Sequence, residues 1–119
     1  MNTQKQQISI AKVCGWTDFR TVPDELQPDI ERLEGQNHSF FLSLGFFEVP
    51  DYLNDLDAMH ESEKMLDPLG KDGAYEYWLR TVCHIPERDS AHGRYFYRAT
   101  AAQRAEAFLR TLGLWEENE

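Results

Sequence analysis

Apolar residues recur at helical spacing in several stretches of the chain, most clearly near the C-terminus. Four of them lie at i, i+3, i+4 and i+7 and share one helix face: Ala105, Phe108, Leu109 and Leu112. Thr100 and Gln103 have the spacing of a capping box, in which each side chain binds the other residue's backbone N–H. Gly113 can adopt the left-handed conformation that ends a helix, and Leu114 can fold back on the last turn. We therefore expect an amphipathic C-terminal helix that packs into the core.

Similar spacing predicts three further helices. The first is expected over 4–14, with Thr3 and Gln6 as a capping box and Gly15 followed by Trp16 as its end. The second is expected over 51–66, and its apolar residues are Tyr52, Leu56, Met59 and Leu66. The third is expected to start at Asp72 as the N-cap and to end at Pro86. Its apolar residues are Tyr75, Trp78, Leu79 and Val82.

Glu63 falls within the apolar face of the second predicted helix. A carboxylate in such a place needs a hydrogen-bonded or charged partner. Because arginines are concentrated in the C-terminal third of the chain, we expect one of them to form a structural ion pair with Glu63.

The intervening segments have weaker patterns. Residues 16–22 have extended character, and 23–35 predict one or two helical turns with Pro28 at the first helical position and Gly35 as the stop. The aromatic-rich run 39–49 predicts a buried strand or loop, although an exposed Phe40 to Phe47 would instead be an interface. Alternation over 94–99 predicts a short strand. The expected class is α+β: a mainly helical single domain, 1–119, with a small sheet or hairpin.

The composition suits a soluble globular domain. The chain has 119 residues, of which 41% are hydrophobic and 13% aromatic, enough for one core. No apolar run is long enough to span a membrane, and residues 1–12 lack a signal-peptide core, so we expect a cytosolic protein without membrane contact. Cys14 and Cys83 have no CxxC neighbour, which favours reduced, buried thiols over a disulfide or zinc site. We expect no cofactor.

The formal net charge of −9 argues against direct binding of nucleic acid, which requires a basic face. Instead, an acidic surface can guide a protein toward a basic partner, although such a surface can also serve only solubility. The candidate partner-binding residues are the carboxylates between positions 24 and 61: Asp24, Glu25, Asp29, Glu31, Glu34, Glu48, Asp51, Asp55, Asp57 and Glu61.

One group of residues offers alternative chemistry. Asp57, His60 and Glu61 lie within about one helical turn, so their side chains could converge on a metal ion or perform acid–base chemistry. The same spacing is typical of a helix face with paired charges, here including Lys64. Arginines and tyrosines over 94–98 resemble the pattern of single-strand nucleic-acid surfaces, but in an acidic chain they favour a half-buried strand. No GxSxG, Walker-type, GxGxxG or HExxH motif is present.

Three blocks of the sequence resemble a family of small phage and prophage proteins related to the phage ABA sandwich group. The blocks are IAKVCGW, VPDYLNDLDAMHESEKML and ATAAQRAEAFLRTLGLW. The resemblance implies an α+β fold and a phage setting, but it brings no activity and no catalytic residue.

We therefore expect a non-catalytic phage accessory protein that binds a basic surface of a host protein. More specifically, we expect an inhibitor of a host defence effector that binds nucleic acid, similar to anti-CRISPR proteins. The alternatives are a metal-binding domain or metal-dependent enzyme centred on Asp57, His60 and Glu61, and a structural or regulatory homo-oligomer.

Overall fold

A computed structural model describes residues 1–37, 45–84 and 99–117, and these residues form an α+β fold. The described helices are α1 (Thr3–Val13), α2 (Leu56–Glu63), α3 (Asp72–Val82) and α4 (Ala101–Thr111). A short 3-10 helix, Lys64–Leu66, continues α2. The described strands are β1 (Thr17–Pro23), β2 (Glu31–Gln36) and β3 (Phe47–Glu48), which form an antiparallel sheet in the order β1-β2-β3. The predicted fold class is confirmed.

Helix α4 lies at the centre of the core, as its apolar face predicted. Phe108 and Leu109 are fully buried, and α1, α2 and α3 all pack against α4. Burial of these two side chains contributes roughly 1.5–3 kcal/mol each. The Thr100 hydroxyl accepts from the Gln103 N–H, and the Gln103 side chain accepts from the Thr100 N–H, so the predicted capping box is confirmed.

The glycine stops predicted for α1 and α4 are confirmed, at Gly15 and Gly113. Gly113 has φ +72°, and the Leu114 N–H donates to the Leu109 carbonyl at 2.8 Å, which closes the last turn of α4. Gly15 has φ +96°, and Trp16 closes the end of α1 in the same way. The predicted start of α1 is wrong by one residue, because the Asn2 side chain, rather than Thr3, accepts from the N–H of Lys5.

The helical turns predicted over 23–35 are wrong, because this region forms the β1–β2 hairpin. The Asp24 carboxylate accepts from the N–H groups of Leu26 and Gln27, and the Asp24 N–H donates to the Ile30 carbonyl. These bonds form a turn in place of a helical N-terminus, since aspartate side chains favour such turns. Gly35 does not stop a helix. It pairs with Phe47, and a Cβ there would lie 3.2 Å from the Thr17 carbonyl oxygen.

Helix α2 is shorter than the predicted 51–66. Its N-cap is Asp55, whose carboxylate accepts from the N–H groups of Asp57 and Ala58, so the chain before it is not helical. Met59 and Leu66 are fully buried as expected, but Leu56 is 38% exposed at the first turn. Helix α3 begins at Asp72 as its first residue, so Asp72 is not the N-cap.

Some predictions fall on residues outside the described ranges. They are Phe40 to Leu44 in the aromatic run, Pro86 as the end of α3, and most of the 94–99 strand. The described end of the aromatic run joins the fold, since Phe47 packs against the core and Val49 is 2% exposed. Cys14 and Cys83 are free thiols and are half-buried rather than fully buried.

Candidate functional site

Several acidic residues line a cavity at the junction of α1, the sheet and the segment 48–54. The cavity has a volume of about 530 Å³ and opens to solvent. Its described lining includes four candidate carboxylates from two separate parts of the chain: Asp24, Glu31, Glu48 and Asp51. We call this cavity, defined by those four residues, the acidic groove.

Hydrogen bonds fix the backbone that carries these carboxylates. Asp24 lies in the hairpin turn that its own side chain stabilises. Asp51 accepts two bonds of 3.1 Å from the Asn54 side-chain amide. On the opposite wall, the Gln7 amide of α1 donates to the carbonyls of Val49 and Pro50, at 3.3 and 2.9 Å. The groove is therefore built from secondary-structure elements and bonded turns, which hold its shape before any partner binds.

The groove carries an excess of negative charge. Among its described lining residues the basic side chain is Arg32, and its guanidinium donates to Glu34 at 3.2 Å. Glu31 and Glu48 are exposed, and within the described part of the chain neither forms an ion pair. Cations from another molecule would therefore find carboxylates that are not already paired.

The other six candidate carboxylates are not in the groove lining. Glu34 is held between Arg20, at 3.0 Å, and Arg32, at 3.2 Å, on the sheet. Asp55 caps α2, and Glu61 pairs with Lys64 at 2.9 Å. The remaining three are exposed, two of them in the hairpin turn and one on α2: Glu25, Asp29 and Asp57. Among these six residues, Glu34 and Asp55 have structural roles, whereas Glu25, Asp29 and Asp57 face solvent.

The alternative metal constellation has other contacts in the structure. His60 Nδ1 lies 2.8 Å from Glu63 Oε1, and Glu61 is bonded to Lys64. Within the described ranges, no group of three or more histidine, cysteine or acidic side chains is arranged to hold a metal ion. His60 and Glu61 thus take part in helix-surface pairs, the reading favoured by their spacing.

The prediction that an arginine pairs with Glu63 is confirmed. Arg104 of α4 has a side chain that is only 9% exposed, and its guanidinium donates to Glu63 Oε2 over a distance of 3.1 Å. The Tyr75 hydroxyl on α3 donates to the same carboxylate oxygen. Burial, followed by the hydrogen bond to Glu63, raises the pKa of Tyr75. These contacts join α2, α3 and α4 around one carboxylate whose charge is balanced by Arg104. We therefore assign Glu63 a role in stability rather than in binding.

A second cavity was not predicted from the sequence. It has a volume of about 500 Å³, is half-open and has mainly apolar walls. We call it the apolar pocket, and its described lining is Cys14, Trp16, Pro50, Tyr52, Ala58, Glu61, Ser62 and Met65. The sequence contains one signal for this pocket, the helical spacing of Ala58, Glu61, Ser62 and Met65. Because most of these residues are small or polar, they do not stand out as an apolar helix face. Burial raises the pKa of the Cys14 thiol, which opposes formation of the nucleophilic thiolate.

Comparisons with protein-family models, curated proteins and solved structures gave no match for this chain. In the described ranges, no helix has the length and apolar character needed to span a membrane. The two cavities and the charges around them are the features of the described structure that bear on function.

Proposed function

We propose that this protein is a non-catalytic binding domain whose acidic groove binds a basic surface of another protein. The observation that carries the proposal is the convergence of Asp24, Glu31, Glu48 and Asp51 around one cavity. The only basic side chain in the described lining, Arg32, is bonded to a carboxylate beside the groove. A lysine or arginine entering the groove would therefore gain interactions that the protein does not already satisfy internally.

The charge of the whole chain supports the same function. A net charge of −9 attracts a basic partner over distances of about a Debye length, roughly 10 Å at 0.1 M salt. Such attraction raises the rate of association more than it raises affinity. The rigid groove then determines where the basic side chains are placed, because its backbone is held by the Asp24 turn and the Gln7 bonds.

More specifically, we propose that the protein is a phage-encoded inhibitor of a host defence effector. The carboxylates would occupy the basic channel in which such an effector holds nucleic acid, because they offer negative charge where phosphates bind. The support for this form is the acidic groove together with the resemblance of three sequence blocks to phage proteins. It predicts competition between this protein and nucleic acid for the effector.

Capture of partners from host lysate tests the proposal when wild type is compared with the double variant Glu31→Lys, Glu48→Lys. Both residues line the groove, are exposed and form no ion pair in the described structure, so the variant keeps the fold while reversing charge. The paired substitution Asp67→Lys, Glu76→Lys is the matched control, because both residues are exposed, neither lines the groove, and the net charge changes by the same amount. We expect a partner retained by wild type and by the control, lost from the double variant and released at high salt.

Added nucleic acid should also release that partner. A partner that is retained equally by the double variant, or is indifferent to salt, would contradict binding through the acidic groove.

A further inference from the structure

The apolar pocket lies on the other side of the segment 48–54 from the acidic groove. Val49, Asp51 and Leu53 of this segment line the groove, whereas Pro50 and Tyr52 line the pocket. The rest of the described pocket wall comes from the end of α1 and from one face of α2 and the following 3-10 turn. The two cavities therefore share a wall that the Gln7 hydrogen bonds fix to α1.

The polar atoms in the pocket wall already have hydrogen-bond partners within the protein. In the pocket wall the Tyr52 hydroxyl interacts with the side chains of Cys14 and Trp16. The Ser62 hydroxyl donates to the Met59 carbonyl at 2.7 Å. An occupant therefore gains nothing from polar groups placed deep in the pocket, so the part that enters must be apolar.

The acidic residues at the rim of the apolar pocket indicate which groups should flank the apolar part of an occupant. Glu61 lines the pocket with a side chain that is 71% exposed, and Asp57 lies one turn earlier on α2. The Lys64 partner of Glu61 is also 71% exposed, and such surface pairs are worth little and exchange easily. A cation beside the apolar group is therefore complementary to this rim.

We infer that the apolar pocket is the anchor site for an aromatic or aliphatic side chain in a partner segment where basic residues flank that side chain. A protein segment fits better than a free small molecule, because small ligands depend on a few placed polar groups for orientation and the pocket interior offers none. A side chain is instead oriented by the chain that carries it. This inference rests on the proposed basic partner and adds the apolar anchor that such interfaces need for affinity.

Synthetic peptides test the inference without knowledge of the natural partner. The probe is Lys-Ser-Lys-Phe-Lys-Ser-Lys, and its control has alanine in place of phenylalanine. Binding is followed by amide chemical shifts in a ¹H–¹⁵N NMR titration. We expect the phenylalanine peptide to bind about tenfold more tightly, as burial of an aromatic side chain predicts. The largest shifts should map to Ala58, Ser62 and Met65, which line the pocket.

Variants of the pocket and its rim provide the matched controls. Met65→Ser changes a lining side chain that is 37% exposed, so the fold should survive and the preference for phenylalanine should be lost. Leu69→Ser, at a residue 52% exposed and not in the described lining, should retain the preference. Glu61→Gln should weaken binding of the phenylalanine peptide by about threefold, whereas Glu76→Gln on α3 should not.

The possible failures are distinguishable. Equal affinity for both peptides, or shifts confined to the acidic groove, would overturn the apolar anchor while leaving the acidic-groove proposal in place. Binding of neither peptide would overturn both. A phenylalanine preference that survives Met65→Ser would also overturn the assignment of the anchor to this pocket.

Discussion

Glu63 and two carboxylates of the acidic groove, Glu31 and Glu48, are the same chemical group in opposite situations. Glu63 is held between helices by Arg104, Tyr75 and His60, so its charge is used within the fold. In the groove, Glu31 and Glu48 are exposed and have no basic partner in the described structure. A buried charge without a partner would be prohibitively costly, whereas an exposed one costs the fold little. The comparison shows which acidic residues the protein needs for stability and which remain for recognition.

Removal of Arg104 should have the largest effect on stability. Arg104→Ala removes the guanidinium partner of Glu63 in a site that is mostly inaccessible to water, so the free energy of unfolding should fall by about 3–5 kcal/mol. Lys64→Ala, which removes an exposed partner of Glu61, should cost less than about 1 kcal/mol. Urea denaturation measures both. Equal losses for the two variants would contradict the distinction between buried and exposed pairs.

The next largest loss of stability is expected at high pH, through the Tyr75 hydroxyl that donates to Glu63. Folding raises the pKa of Tyr75 above its ordinary value of 10.0, so the unfolded chain releases this proton first as pH rises. The contribution of this tyrosine to stability should therefore be constant below about pH 10 and then fall by up to about 1.4 kcal/mol per pH unit. Burial also raises the pKa of Tyr52, which adds to the slope.

Denaturation measured from about pH 8 to 11 tests this dependence. Tyr75→Phe should show a shallower decline than wild type, while Tyr77→Phe, at an exposed tyrosine on α3, should match wild type. Identical slopes in wild type and Tyr75→Phe would count against a raised pKa of Tyr75 in the folded state.

Asp55 represents an intermediate case, a surface carboxylate with a structural role. Its side chain accepts two backbone N–H bonds at the start of α2, so Asp55→Ala should lower the free energy of unfolding by about 1 kcal/mol. Asp55→Asn retains a capping side chain and should lose much less. If alanine and asparagine were equivalent at this position, the capping assignment would be wrong.

Charge reversal in the groove should change stability least. Glu31→Lys and Glu48→Lys affect exposed side chains that form no described ion pair, so we expect changes within about 0.5 kcal/mol in urea denaturation. A loss similar to that of Arg104→Ala would show that these carboxylates support the fold rather than recognition.

Features encoded by local spacing could be predicted from the sequence. The capping box of α4 and the ends of α1 and α4 depend on residues within one turn of each other. Glu63 could be recognised as needing an arginine because it interrupts an apolar helix face. Which arginine it would be, Arg104, depends on how α4 packs against α2, and sequence spacing carries no information on that.

The β1–β2 hairpin and both cavities required tertiary information. In 23–35 the proline and acidic residues suggested the start of a helix, but Asp24 uses its carboxylate to form a turn, and β2 then pairs along β1. The groove combines residues from that hairpin with Glu48 and Asp51, brought together by the packing of 48–54 on α1. No pattern within either segment indicates that the two would meet.

The salt dependence of peptide binding is the sharpest test of recognition through the acidic groove. The measurement is the affinity of fluorescently labelled Lys-Ser-Lys-Ala-Lys-Ser-Lys, by anisotropy, from low salt to about 0.5 M NaCl. For wild type we predict affinity that falls steadily with salt, and for Glu31→Lys, Glu48→Lys a loss of at least about tenfold at low salt. Equal affinity of wild type and the double variant for this peptide would contradict recognition through the acidic groove.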